Sequence, residues 1–79
     1  RAKARTIITD TCRRHGVKEG DFFAQIRDRR MVAVRAEAYW LITHHTKLSS
    51  LEIGRIVKRD HSSVFHLVKR ASIERGPAR

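Results

Sequence analysis

Apolar positions along this 79-residue chain recur at the spacing of amphipathic helices. The first stripe, with i, i+3, i+4, i+8 spacing, predicts a helix from about Ala2 to His15, which Gly16 can end in a left-handed conformation. Its members are Ala4, Ile7, Ile8 and Cys12. No stretch alternates between apolar and polar residues over the length of a strand. The pattern therefore predicts an all-α fold.

Two further helical segments are predicted in the middle of the chain. Residues 17–24 contain the pair Phe22 and Phe23, which indicates a single turn held to the core by aromatic rings, followed by a basic exit over residues 25–29. The longest helix is predicted from Arg30 to about Thr46, because apolar residues share one face at a 3.6-residue period. That face contains Met31, Val34, Ala38, Leu41, Ile42 and His45.

The last third of the chain predicts two short helices in succession. Ser49 and Glu52 match the S-x-x-E capping box, so a helix should begin at Ser49 or Ser50. Asp60 is a strong N-cap candidate for a final helix, which we expect from about His61 to Ser72 or Ile73. The buried side of the first of these two helices is predicted to contain Leu51, Ile53, Ile56 and Val57.

This pair of helices, joined by about three residues, has the arrangement of a helix-turn-helix. The second helix opens with the small polar run Asp60, His61, Ser62 and Ser63. A major groove admits one helix, whose N-terminus directs backbone donors toward phosphates and whose first-turn side chains reach base edges. The pattern thus favours a DNA-binding module.

Composition agrees with a polyanionic partner. Eighteen Lys and Arg against eight Asp and Glu leave a formal charge of +10, which favours phosphate contacts and counterion release. The length predicts one domain over residues 1–79, with an ordered core at about residues 2–74. The lone cysteine excludes an internal disulfide and indicates a cytoplasmic location, and no apolar run is long enough to span a membrane.

The run from Ile53 to Val64, I-G-R-I-V-K-R-D-H-S-S-V, resembles the signature of the C-terminal domain of the DnaA family of bacterial replication initiators. The resemblance extends upstream to the V-K-E-G-D-F-F segment that begins at Val17, and so covers most of the chain. It implies a small helical bundle with a Trp repressor-like helix-turn-helix. It also implies binding of double-stranded DNA at a DnaA-box-like site, in replication initiation or transcription regulation, by a bacterial or phage-encoded, nucleoid-associated protein.

Residue roles follow from the resemblance alone. Five residues match positions that enter the major groove: Arg59, Asp60, His61, Ser62 and Ser63. Arg27 matches an arginine inserted into the adjacent minor groove, and Arg35 matches a residue that contacts a backbone phosphate. Ser49 and Ser50 lie where hydroxyls and amides meet phosphates. Apart from the resemblance, we expect Lys58 to help set register and affinity together with Arg27 and Arg35.

Two departures from the family pattern bear on function. Ser62 and Ser63 stand where threonine is usual, and serine lacks the methyl group that can pack on a thymine methyl, so a change in the preferred site is expected. No G-x-x-x-x-G-K-[ST] loop occurs in the chain, so the ATPase part of an initiator is not within it. The sequence can be a fragment of an initiator or a separate regulator that uses the same module.

Other functions are weighed against DNA binding. A basic module that docks an acidic protein, with Trp40 as its anchor, is the main alternative. RNA binding is disfavoured because no aromatic stacking platform is evident, and the sequence shows no catalytic, metal or cofactor site. We expect no small-molecule substrate and no membrane partner, with one copy bound per DNA site.

Overall fold

The computed structural model describes residues 2–24 and 28–75, and the regular secondary structure within these ranges consists of five helices. They are α1 (Ala2–His15), α2 (Glu19–Phe23), α3 (Arg29–His45), α4 (Ser50–Val57) and α5 (His61–Arg75). The predicted all-α fold is confirmed, with most helix bounds within one or two residues of the expected ones. None of the described helices is long and apolar enough to cross a membrane.

The predicted end of α1 is also confirmed. Gly16 adopts φ +66°, a left-handed conformation that glycine enters without steric cost. Its amide donates to the Arg13 carbonyl at 3.1 Å, and the Val17 amide donates to the Cys12 carbonyl at 3.0 Å. These bonds close the helix in the manner of a Schellman motif and turn the chain toward α2.

Helix α3 runs through the centre of the bundle and packs against α1 on one side and α5 on the other. Residues from all five helices form one buried apolar cluster, in which Cys12 packs as a small hydrophobic residue, as predicted. The cluster contains Ala4, Ile8, Cys12, Phe22, Met31, Val34, Ala38, Tyr39, Ile42, Ile53, Val57 and Val64. It holds the last two helices at a defined place on the bundle.

One residue expected in the core is exposed. Leu51 is 49% exposed, because Ile53, Gly54 and Val57 form the buried side of α4 and Leu51 lies on a different side of the helix. The assignment of Leu51 to the core was therefore wrong. His45 continues the period of the α3 stripe but is exposed at the last position of the helix.

A buried carboxylate joins the end of α1 to α3. The Glu37 side chain is 8% exposed, and its Oε2 lies 2.8 Å from Arg14 Nη1. Its Oε1 lies 3.1 Å from His15 Nε2. Because a buried charge is costly unless it is paired, this arrangement fixes the two helices against each other.

Candidate nucleic-acid interface

The connection between α4 and α5 is a tight three-residue turn, Lys58 to Asp60. Lys58 adopts the left-handed conformation, with φ 58° and ψ 46°. The Lys58 and Arg59 amides both donate to the Gly54 carbonyl, the latter at 2.9 Å. A Cβ on residue 54 would lie 2.7 Å from the Arg59 carbonyl oxygen, so only glycine lets the turn fold this closely onto α4.

The start of α4 is fixed by the predicted capping box. Ser49 Oγ accepts a hydrogen bond from the Glu52 amide at 3.2 Å, and the Ser49 amide donates to Glu52 Oε1 at 3.0 Å. Ser50 follows as the first residue of the helix and is partly exposed. The hydroxyl of Ser49 therefore has a structural role as an acceptor, which leaves its proton available to a further acceptor.

The first turn of α5 presents a continuous polar surface. Asp60, His61, Ser62 and Ser63 are all exposed, whereas Val64 is fully buried. The Asp60 carbonyl accepts the amides of Ser63 at 3.1 Å and Val64 at 3.3 Å, which begins the helix. Val64 thus attaches the turn to the core while the four preceding side chains face solvent, where they can reach base edges.

The structure does not support a phosphate contact by Arg35. This residue is 4% exposed, and its guanidinium donates to backbone carbonyls at the end of α2: Phe22 at 2.9 Å, Asp21 at 3.1 Å and Ala24 at 2.8 Å. Burial and, to a smaller extent, the nearby Arg59 lower its pKa below the usual value for an arginine. The guanidinium is therefore engaged within the bundle, and the phosphate contact that the resemblance implied for Arg35 stays a prediction that competes with this structural role.

The side chain of Arg59 also makes a contact within the protein. It is partly buried, and its Nη2 donates to the same Ala24 carbonyl that Arg35 contacts. This hydrogen bond joins the turn of the helix-turn-helix to the chain that follows α2. The major-groove role expected for Arg59 therefore stays a prediction that competes with a positioning role.

Two cations predicted to contact DNA remain, Lys58 and Arg27, and the structure describes only Lys58. Lys58 is exposed beside the first turn of α5. Arg27 lies outside the described residues, so its expected minor-groove role stays a prediction. The neighbouring Arg30 donates to the His15 carbonyl and so attaches the start of α3 to the end of α1.

Trp40, the anchor of the alternative protein-docking hypothesis, is neither fully exposed nor part of the buried cluster. Its ring stacks on His44, with ring centroids 5.0 Å apart and planes 4° from parallel. His44 therefore contacts one face of the Trp40 ring. Within residues 2–24 and 28–75, no group of three or more His, Cys, Asp or Glu side chains is placed to hold a metal ion.

Sequence reasoning missed the structural role of Arg35, although a signal was present. Arg35 lies four residues after Met31 and four before Tyr39, inside the apolar stripe of α3. An arginine at such a position must find buried acceptors. The periodicity could have indicated the buried position of Arg35, but not which carbonyls its guanidinium would contact.

Comparison with known proteins finds matches over most of the chain. Residues 4–71 match the family model described as the bacterial dnaA protein helix-turn-helix. The chain is 33% identical over 66 residues to the chromosomal replication initiator protein DnaA of Mycoplasma genitalium, a match that covers 84% of this chain and 15% of that protein. It is 36% identical over 61 residues to the DnaA of Caulobacter vibrioides, covering 76% of this chain and 12% of the relative. No solved structure matches the chain.

Proposed function

We propose that this chain, which belongs to the bacterial DnaA C-terminal helix-turn-helix family and is therefore a DNA-binding domain, recognises a short asymmetric DnaA-box-like sequence in double-stranded DNA. One copy would bind one site, because a single recognition helix has no internal two-fold symmetry. The chain spans about one seventh of the curated relatives it matches. The proposal accordingly concerns DNA recognition and does not extend to the other activities of a whole initiator.

One observation carries the proposal: four exposed polar side chains open a helix whose next residue is fully buried. Asp60 to Ser63 project from the bundle, and Val64 holds the helix start in place. A short rigid turn precedes them, so their positions are set before DNA arrives. In this proposal the four side chains enter the major groove and choose bases.

Register and affinity come from phosphate contacts around this turn. Lys58 is the nearest exposed cation, and Ser49 and Ser50 at the start of α4 would offer hydroxyl and backbone donors. Arg27 would enter the adjacent minor groove, where the potential is most negative when the groove is narrow. Arg35 is left out of the contact set because its guanidinium is buried.

Replication initiation and transcription regulation both require this recognition step. The names of the relatives favour replication initiation, since both are chromosomal replication initiator proteins. We propose a nucleoid-associated location in either case, because the DNA-binding surface belongs with chromosomal or phage DNA. A docking role for Trp40 gains no support from its local stacking on His44.

Selection of bound sequences from a random duplex pool tests the proposal directly. We expect one enriched, non-palindromic motif. His61→Ala should then weaken binding to that motif by about 1–3 kcal/mol with little effect on random duplex, whereas Lys58→Ala should weaken both to a similar degree. Fluorescence anisotropy with labelled duplexes at fixed salt measures each affinity.

A histidine outside α5 serves as the matched control. His45 is exposed at the end of α3, and His45→Ala should leave both affinities near those of the wild type. Enrichment of no motif would contradict sequence-specific recognition. Binding to an acidic protein together with indifference to duplex DNA would instead support the docking alternative.

A further inference from the structure

We propose that Arg35 and Arg59 are positioning residues that together hold the end of α2 against the turn of the helix-turn-helix, and so align the minor-groove and major-groove parts of the interface. This inference rests on the proposed DNA-binding function and goes beyond it. It assigns to two arginines a role in which neither needs to touch the DNA.

The first part of the observation is that both guanidiniums converge on one carbonyl. Arg35 reaches Ala24 from α3, with Nη2 donating at 2.8 Å. Arg59 reaches the same oxygen from the turn before α5. A carbonyl oxygen has two lone pairs, so it can accept both bonds. Three separate elements of the chain therefore meet at Ala24.

Placing two cations side by side is unfavourable unless nearby groups compensate. Burial lowers the pKa of Arg35 most, and the positive charge of Arg59 lowers it further. The compensation comes from the C-terminal end of α2, where Asp21 and Phe22 also turn their carbonyls to Arg35. Unsatisfied carbonyls at a helix C-terminus carry partial negative charge and favour cations. The end of this short helix is thus an acceptor site for the pair.

The packing beneath the pair makes its geometry rigid. Tyr39 is 1% exposed, and Arg59 and Arg35 are both near enough to influence its pKa, which burial raises overall. Phe22 packs edge-to-face on Tyr39, with ring centroids 6.0 Å apart. The two guanidiniums thus lie near a packed aromatic pair of the core.

The consequence for the interface follows from chain connectivity. Ala24 is held by the two arginines, and Asp28 is held as the N-cap of α3, with its side chain accepting the Met31 amide at 2.8 Å. Only three residues join these fixed points, and the last of them is Arg27. Residue 59 is in turn adjacent to Asp60, where the major-groove surface begins. The pair therefore holds Ala24, the last described residue before the segment that contains Arg27, next to the turn that leads to Asp60.

Base analogues can be placed in the duplex that the selection experiment enriches. They distinguish the positioning role of the two arginines from a general contribution to DNA affinity. Replacing adenine with 2,6-diaminopurine adds an amino group in the minor groove and leaves the major-groove pattern intact. Replacing a purine with its 7-deaza analogue removes a major-groove acceptor. For the wild type, we expect each analogue to weaken binding at some positions of the duplex, by about fivefold to 150-fold in affinity.

Arg59→Ala should abolish the penalty from 2,6-diaminopurine while the penalties from 7-deaza purines persist. Arg27→Ala should abolish the same minor-groove penalty, and Arg59→Lys should restore part of it because the ammonium can also donate to the Ala24 carbonyl. Arg13→Ala, which removes an equal charge from an exposed position on α1, should change neither penalty. In hydrogen exchange, the α2 amides of Arg59→Ala should lose protection relative to those of α5.

Three results would overturn the inference. One is a 2,6-diaminopurine penalty that survives in Arg59→Ala. Another is the loss of a 7-deaza penalty in that variant, which would make Arg59 a base-reading residue. The third is a wild type that discriminates through the major groove alone. A wild type that shows no sequence preference at all would contradict the proposed function itself, so the two failures are distinguishable.

Discussion

Lys58 has a backbone conformation that favours glycine, whereas the phosphate contact proposed for it requires a cation. Its left-handed backbone, φ 58° and ψ 46°, closes the turn between α4 and α5. For a residue with a Cβ that conformation costs roughly 1–2 kcal/mol, which is why glycine is the usual residue there. A lysine at this position places a positive charge beside the first turn of α5, where the proposed phosphate contact would use it.

We predict opposite consequences of Lys58→Gly for stability and binding. Glycine should relieve the backbone strain, so the Lys58→Gly protein should be more stable than the Lys58→Ala protein by about 1 kcal/mol in urea unfolding. Both variants should lose the same phosphate contact and show equal DNA affinity. The alanine variant is the matched control, since it removes the charge and keeps the strain. Equal stability of the two variants would contradict the argument.

Cys12 provides a second test at the level of one residue. The residue is 2% exposed, and burial raises the pKa of its thiol above the usual 9.0. Because the thiolate is the reactive form, we expect alkylation of the folded protein at neutral pH to be slow and to become rapid in denaturing urea. Rapid reaction of the native protein would show that α1 does not hold Cys12 in the core.

The same raised pKa gives a pH dependence of stability. The unfolded chain releases the thiol proton near pH 9, whereas the folded chain, with its higher pKa, retains it to higher pH. The contribution of Cys12 is therefore fully present below pH 9 and is lost as the pH rises above it. Comparing urea unfolding of the wild type and Cys12→Ala across this range measures the difference, which should narrow with increasing pH.

At the scale of elements, the fold is organised so that α4 and its turn support the start of α5. The capping box begins α4 at a fixed residue, and Gly54 allows the chain to return close to the helix it has just left. Val64 then inserts into the core. Each device acts over a few residues, but together they set the direction in which the recognition helix leaves the turn.

Gly54→Ala should separate helix propensity from packing. Alanine is the better helix former by about 1 kcal/mol, yet its methyl would lie 2.7 Å from the Arg59 carbonyl oxygen, a backbone atom that cannot easily move. We expect net destabilisation of about 1–3 kcal/mol in urea or thermal unfolding. DNA affinity should also fall because the turn must shift.

Gly20 in α2 supplies the control for this substitution. A Cβ there would meet nothing within 4 Å, so Gly20→Ala should leave stability unchanged or raise it by about 0.5–1 kcal/mol. If both alanine variants were stabilised alike, the close approach at residue 54 would have no energetic consequence.

At the scale of the whole molecule, burial leaves the cationic excess of the composition unchanged, because one buried acid, Glu37, is offset by one buried base, Arg35. Glu37, one of the eight acidic residues, is buried and paired with Arg14 and His15. Lys58 and many other cations among the described residues are exposed, whereas Arg35 is committed inside the bundle. A net charge of +10 on a chain of this size is expected to attract any polyanion before specific contacts form.

We therefore predict a steep salt dependence of binding. If about five phosphates are neutralised, a plot of log affinity against log salt concentration should have a slope of about −4.5. Random duplex should give a similar slope with weaker affinity, because phosphate contacts carry no sequence information. Anisotropy titrations across salt concentrations measure both slopes. A slope near zero on the selected duplex would rule out an electrostatic contribution from the exposed cations.

The sequence by itself determined the helices, the turn and the polar opening of α5, because these depend on local signals. Apolar period, the Ser49–Glu52 box and the glycine after α1 each act within about one or two turns of chain. The run from Ile53 to Val64 indicated the family for the same reason, since its residues are contiguous. Lys58, His61 and the two serines after it were correctly expected at the surface.

Only the tertiary structure decided what the two arginines do. Arg35 and Ala24 are eleven residues apart and Arg59 and Ala24 are thirty-five apart, so no local pattern reports that they meet. Similarly, Leu51 fitted the apolar pattern of α4 but is exposed, because burial depends on where the other helices lie. Contacts between segments distant in the chain determine which surface of an amphipathic helix is buried. They also determine which cations stay exposed.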